Sequence, residues 1–482
     1  MQALLRIGAE LREATDGRFF ERRSPLSGEV VCRAAAASVE DAVAAVEAAS
    51  KAFEQWSETG PNQRRALMMN VINVLTKRAD EITDCIIAET GTSVAWARFN
   101  VQGTVNALRE AAALATQVAG EQIPSDKPGT IAIAERVPVG VVLGIAPWNA
   151  PLLLGLRSIA MPLICGNTVV FKSSEASPGT HHLLGELFVE AGFPAGVVNV
   201  VSHDTASAPA IVEALIAHPA VRRVNFTGST RVGRIIGELA GRHLKPALLE
   251  LGGKAPLVVL EDADLDQAAS AAAFGSFMNQ GQICMSTERI VVDERIADEF
   301  AQRLAAKAQT LKTGDPRAGD VALGSLIGEP ATAQVLALVE DAVAKGARLL
   351  TPLKHHDAYM EPVVLDGVTP EMRIYSEESF GPVASIVRVK DVDEAIRIAN
   401  DTEYGLAAAV YGRDLSRTLR VARRIHAGIC HINGPTVSSE PQLPFGGVKD
   451  SGFGRFGGKA AINEFTDLRV LTIQTQNQNF PF

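Results

Sequence analysis

The stretch VGVVLGIAPWNAPLLLGLRSIAMPLICGNTVVFKSSE, residues 139–175, decides the fold class. Residues 139–147 are an apolar, β-branched run ending at a proline, the length of a buried strand. Residues 151–164 carry apolar side chains over a helix-length span, and residues 167–172 return to a strand pattern before polar SSE. Strand, helix and strand in this order predict a βαβ unit with parallel strands.

The alternation continues downstream. Residues 177–192 read as a helix ended by Gly192, 197–201 as a strand, and 208–218 as a helix. Residues 222–229 read as a strand running into a turn, and 230–241 as a helix. Short apolar strands alternating with helices predict a parallel sheet of Rossmann type, which binds ligands at the carboxyl ends of its strands. A second α/β block runs from about 250 to 446, with strands at 255–260 and 382–389 and a helix near 264–279. Upstream, residues 38–56 form an amphipathic helix pattern with Ser38 as N-cap and Asp41 at N3. Residues 61–119 hold two or three more helices, and 120–137 read as a turn followed by a short alternating strand. The tail, 468–475, is a lone strand that needs a partner in this molecule or in another subunit.

A chain of 482 residues exceeds what one hydrophobic core serves, so two large domains and a small appended element are expected. Net charge is −9, from 46 basic and 55 acidic residues, with no basic run, which argues against nucleic acid as a partner. No apolar run reaches the ~18–20 residues that cross a bilayer, so no membrane is expected. The N-terminus carries charges throughout and lacks an apolar signal core. Five cysteines, with no CxxC pair, read as reduced thiols in a cytoplasmic protein.

Gly452-Phe-Gly454-Arg-Phe-Gly457 matches GxGxxG, but no strand precedes it, so it reads as a structural glycine loop. GxxxxGK[ST], HExxH and GxSxG are absent, which removes support for a P-loop, a zincin or an α/β-hydrolase, and no metal is expected.

Three segments carry chemistry: PWN at 147–149, ELGGK at 250–254 and NQGQICMS at 279–286. Cys284 stands among polar and glycine residues, where a reactive thiol can be exposed. Cys32, Cys85, Cys165 and Cys430 read as small buried residues. Glu250, at a strand's carboxyl end beside two glycines, suits a general base; taken alone it reads first as a helix cap or a surface ion pair. Asn149 offers an amide donor to an oxyanion, against the default reading of a turn residue.

Together these segments resemble the aldehyde dehydrogenase superfamily. PWN, FKSSE (171–175), FTGS (226–229), ELGGK, GQICMS, EESFGP (377–382) and PFGGVKDSG (444–452) occur in that family's order. The resemblance implies a Rossmann-like cofactor domain (1–119 and 138–249), an α/β catalytic domain (250–446) and a β oligomerisation element (120–137 and 460–482). It implies Cys284 as nucleophile, Asn149 at the oxyanion and Glu250 as activator of the hydrolytic water. Ile145, Pro147, Trp148, Lys172, Glu175, Gly228, Ser229, Glu378 and Phe380 would hold the cofactor. Glu175 favours NAD, because a carboxylate repels a 2′-phosphate. The oligomerisation element implies a homodimer or homotetramer.

The chain departs from the family pattern at several places. Residues 202–207 (SHDTAS) lack the glycine-rich turn of many relatives, and Ser158 and Phe456 stand where many carry the Lys and Glu assigned to proton relay. Arg157 occupies an often aromatic position at the substrate tunnel; a structural ion pair or a polar contact to a substituted substrate both explain it. Ala150, Trp96, Met278 and Phe445 match the tunnel, Trp96 being equally explained by helix packing. Within the family, FERRSPLSGEVV, HLKPALLELGGKAPLVVLEDADLD and GICHINGPTV resemble bacterial vanillin and salicylaldehyde dehydrogenases. That implies NAD-dependent oxidation of an aromatic aldehyde of the vanillin, salicylaldehyde or benzaldehyde type. The rivals are an aliphatic or semialdehyde substrate, a CoA-acylating enzyme, which Glu250 counts against, and a structural protein without turnover, which the retained Cys284 and Glu250 count against.

Overall fold

Residues 139–175 fold as a strand Val141–Ile145, a helix Pro151–Ile164 and a strand Thr168–Lys172. Pro151 sits at the helix N-terminus, where its missing N–H costs nothing. The two strands are parallel, with Ile145 opposite Lys172. The computed structural model describes all 482 residues.

These strands lie inside an eight-stranded sheet. Its order is Gly452–Phe453, Ala247–Glu250, Val221–Thr227, Val141–Ile145, Thr168–Lys172, Val198–Val201, Leu5–Ile7 and Glu10–Arg12. The five central strands are parallel, and the connection reverses direction at Val141–Ile145. Reversal opens a crevice at the carboxyl ends, the ligand position of a doubly wound sheet. Register puts Lys172, Ile145, Thr227 and Glu250 along that one edge. The N-terminal strands were not legible in the sequence; they add antiparallel strands to the far edge.

A seven-stranded sheet follows, in the order Arg348–Leu349, Val363–Asp366, Val383–Val389, Thr287–Asp293, Ala255–Val259, Ala407–Tyr411 and Ile429–Ile432. All but the first strand pair in parallel. Only four residues separate Glu250 from Ala255, so the carboxyl edge of the first sheet meets the amino edge of the second.

Helix Val39–Trp56 has the expected capping box between Ser38 and Asp41. Three helices follow, Pro61–Lys77, Ala79–Thr90 and Val94–Leu114. The segment 120–137 differs from its reading. Its turn lies between two strands, Glu121–Ile123 and Thr130–Pro138, rather than ahead of one. The tail strand, Thr466–Gln474, pairs antiparallel with Thr130–Pro138 of the same chain along its whole length. Apolar side chains on both of its faces are exposed, Leu468 and Val470 on one and Leu471 and Ile473 on the other. The glycine loop at 452–457 is structural at its start: a Cβ on Gly452 (φ 102°) would meet the Leu249 carbonyl oxygen at 2.0 Å. No helix is long and apolar enough to cross a membrane.

Candidate active site

Asn149, Glu250 and Cys284 come together where the two sheets meet. Asn149 follows the Val141–Ile145 strand and Glu250 ends the Ala247–Glu250 strand. Cys284 stands just before the Thr287–Asp293 strand.

The Cys284 loop is held in an unusual backbone. Asn279 (φ 49°), Gln280 (φ 56°) and Gly281 (φ 71°) are left-handed in succession. Such conformations cost about 1–3 kcal/mol each for non-glycine residues and persist where surroundings over-determine them. Here the Gln280 side chain donates to the Ser325 carbonyl (2.7 Å) and accepts from Gly324 N (3.1 Å). Asn279 donates to the Asn149 carbonyl (3.1 Å) and accepts from the Thr92 hydroxyl (2.6 Å). The Gln282 side chain accepts from Ile327 N (2.9 Å). In the sequence these residues are only the polar and glycine surroundings of Cys284; the side-chain amides at 279, 280 and 282 are the signal that they build its loop.

The two glycines after Glu250 are needed for close approach. A Cβ on Gly253 would lie 2.3 Å from the Cys284 carbonyl oxygen, and one on Gly252 would lie 2.7 Å from a Glu378 carboxyl oxygen.

Asn149 is buried; its amide donates to the Gln282 carbonyl (2.9 Å), which leaves one amide hydrogen free. Its backbone carbonyl accepts from the Trp96 indole (2.8 Å). Glu250 is 1% exposed, and neither carboxyl oxygen has a hydrogen-bond partner. Burial raises its pKa, and Arg157 opposes that rise. Burial, followed by the Glu250 carboxylate, holds the Cys284 thiol well above its ordinary value, while Arg157 pulls it down. Cys32 and Cys165 are buried as expected; Cys85 and Cys430 are only half-buried.

Cys284 opens into a cavity of about 370 Å³. Trp96, Ala150, Arg157, Met278 and Phe445 line it, together with Asn149 and Phe456. Arg157 makes no ion pair, so the structural salt bridge is corrected: its guanidinium lies over the Phe445 ring at 4.2 Å and the Phe456 ring at 5.6 Å. Trp96 serves both its readings, packing in its helix against Phe99 (5.0 Å) while facing the cavity. Ser158 is buried and donates to the Gly155 carbonyl (2.8 Å).

None of the residues expected at the cofactor lines that cavity. Ile145 is buried at its strand end, and half-buried Trp148 meets Phe380 edge-on at 5.8 Å. Lys172 is buried and lies 3.7 Å from the more exposed Glu175. Gly228 N donates to the Glu250 carbonyl (3.0 Å), and the Ser229 hydroxyl caps helix Thr230–Arg242. Glu378 accepts from Gly253 N (2.8 Å), and burial pushes its carboxyl up to about 8. In the glycine-free 202–207 turn, His203 donates from Nδ1 to the Asp204 carbonyl (2.8 Å), leaving a buried, unpartnered Nε2. A nicotinamide dinucleotide fits this edge: an orphaned acceptor and a carboxylate suit ribose hydroxyls, and a capped helix N-terminus suits a pyrophosphate.

The sequence profile of the aldehyde dehydrogenase family matches residues 11–471. The chain is 56% identical over 477 residues to a vanillin dehydrogenase of Pseudomonas fluorescens, covering 99% of each. It is 48% identical over 483 residues to a salicylaldehyde dehydrogenase of Pseudomonas putida, covering 100% of each. The crystal structure of a salicylaldehyde dehydrogenase from Pseudomonas putida G7, complexed with salicylaldehyde, superposes with a TM-score of 0.98 over 100% of both chains at 48% identity.

Proposed function

The chain belongs to the aldehyde dehydrogenase family, and from that premise we propose that it oxidises an aromatic aldehyde of the vanillin, salicylaldehyde or benzaldehyde type to the carboxylic acid, with NAD as acceptor. The observation that carries the substrate reading is the cavity itself. It is apolar, it ends on Cys284, and it contains one unpaired cation, Arg157, laid over Phe445. An aromatic ring suits such walls, and a phenolic or methoxy oxygen suits the free guanidinium edge. The relatives named for vanillin and salicylaldehyde support the same class.

In the proposed mechanism Cys284 gives its thiol proton to water and the resulting thiolate attacks the aldehyde carbon; a carbon–sulfur bond forms as the carbonyl π pair moves onto oxygen as an oxyanion. The free Asn149 amide hydrogen and the Cys284 backbone N–H, which has no acceptor in the protein, hold that oxyanion. A bound nicotinamide supplies the two-electron acceptor for the hydrogen lost from the carbon. Cys284 then carries the acyl group as a thioester. Glu250, with both oxygens unpartnered, takes a proton from water as the water attacks the thioester, and the thiolate leaves with the bonding pair. With Ser158 bonded to its own helix and Phe456 apolar, Glu250 passes its proton on through water.

Glu175 beside Lys172 favours a ribose hydroxyl over a 2′-phosphate, so NAD is preferred over NADP. The exposed apolar side chains of the tail strand support a homodimer or homotetramer built on the three-stranded sheet. Five unpaired cysteines support a cytoplasmic location.

The test is a kcat/KM panel of vanillin, salicylaldehyde, benzaldehyde, hexanal and succinic semialdehyde, each with NAD and NADP and without CoA. The aromatic aldehydes with NAD are expected to lead. A lead by hexanal or the semialdehyde, or a requirement for CoA, would overturn the reading.

A further inference from the structure

Three loops precede three adjacent parallel strands of the second sheet: 251–254 before Ala255–Val259, 279–286 before Thr287–Asp293, and 377–382 before Val383–Val389. Register sets Ala255 opposite Thr287, so Lys254 and Glu288 meet at the amino edge of their strands. Lys254 Nζ lies 2.7 Å from Glu288 Oε2, with the two residues 1% and 4% exposed. Glu288 Oε1 accepts from Ser379 N (3.0 Å) and Phe380 N (3.2 Å). The Ser379 hydroxyl reaches both Glu288 oxygens (3.0 and 2.9 Å). One buried carboxylate thus gathers a cation, two backbone donors and a hydroxyl from two different loops.

The turn it holds is strained, with Phe380 at φ 48°. It also carries the groups that face the cofactor edge: Glu378, received by Gly253 N one residue before Lys254, and Phe380, packed against Trp148. A conformation of this cost persists only when its surroundings fix it, and Glu288 supplies the acceptors for its backbone.

We propose that the Lys254–Glu288 pair is a positioning device that locks the Glu378–Phe380 turn in its cofactor-receiving conformation and ties that turn to the 251–254 loop that follows Glu250. The pair touches neither substrate nor thiol. It acts through the turn, and its loss lets Glu378 and Phe380 leave the geometry that a nicotinamide ribose requires. This rests on the cofactor reading above.

The experiment measures NAD dissociation constants by quenching of tryptophan fluorescence in the wild type, Glu288→Gln, Lys254→Met and the double variant. Melting temperature and the rate of Cys284 alkylation by iodoacetamide without cofactor are read alongside. The double variant removes both charges, so no buried ion is left unpaired, and it keeps the test open where a single variant fails to fold. NAD binding is expected to weaken about tenfold or more in the double variant, because displacing a binding group by an ångström has effects of that order. Alkylation should stay within twofold of the wild type, since the thiol is not displaced. A lowered melting temperature with an unchanged NAD dissociation constant would make the pair merely structural and overturn the proposal. A wild type that does not bind NAD would instead overturn the cofactor reading.

Discussion

The guanidinium of Arg157 stacks 4.2 Å from the centre of the Phe445 ring and has no carboxylate partner, although Glu250 is close enough to influence it electrostatically. A half-buried cation without an ion pair carries a desolvation cost that another polar group can offset. In the proposed function that group is an oxygen substituent on the substrate ring. Arg157→Ala should therefore lose more kcat/KM for vanillin and salicylaldehyde than for benzaldehyde. A hydrogen bond to a charged group contributes about 1.5–3 kcal/mol, so the extra loss should be roughly ten- to hundredfold. Equal losses for all three aldehydes would remove the contact from the substrate reading.

The same arginine and Glu250 act on Cys284 in opposite directions. After burial, Glu250 is the largest influence holding the thiol up, and Arg157 holds it down. Removing the carboxylate lowers the thiol pKa, so Glu250→Gln should be alkylated by iodoacetamide severalfold faster at pH 7.5 than the wild type. Arg157→Met should be alkylated more slowly. A slower Glu250→Gln would show that Glu250 deprotonates the thiol instead.

What the sequence made legible followed local rules. Pro151 and the apolar run behind it marked the helix Pro151–Ile164 to the residue, because N1 proline and burial act within one element. Strands Leu5–Ile7 and Glu10–Arg12 were missed because Arg6, Glu10 and Arg12 mask the strand pattern, and only long-range pairing makes them strands. The grouping of Asn149, Glu250 and Cys284 was legible from ordered motifs. The aromatic seat of Arg157 was not, because Phe445 lies 288 positions away, and no local pattern reports such a contact. Glu288 was missed for the same reason: its role depends on the register of two strands and on a turn that begins near Glu378.

Two histidines make acid stability testable. His181 is wholly buried, accepts from Ser174 N (3.0 Å) and faces the Pro151 carbonyl (3.1 Å); burial lowers its pKa from 6.5 to about 3. Burial lowers His203 to about 4. Both are neutral in the fold, while the unfolded chain takes up protons near pH 6.5. Stability is therefore fully present above that pH and is lost as pH falls from 6.5 toward 4, by at most about 1.4 kcal/mol per pH unit for each group. His203→Asn should show a shallower fall of melting temperature between pH 7 and 5 than the wild type. An identical slope would exclude His203 from the acid limb.

The division of labour between Cys284 and Glu250 can be separated in time. Glu250 holds the thiol pKa up rather than down, and the proposed mechanism assigns its carboxylate to the hydrolytic water, with the thiol proton leaving to water. Its unpartnered oxygens are buried beside Cys284, which suits a base for the water that attacks the thioester. Rapid mixing of Glu250→Gln with NAD and benzaldehyde should then give a burst of about one reduced cofactor per active site. Slow steady turnover should follow, reduced by about 10²–10⁴, the usual contribution of a general base. Cys284→Ala should give neither burst nor turnover. Loss of the burst in Glu250→Gln, with alkylation of Cys284 intact, would place Glu250 in the acylation half of the reaction and require a different base for the water.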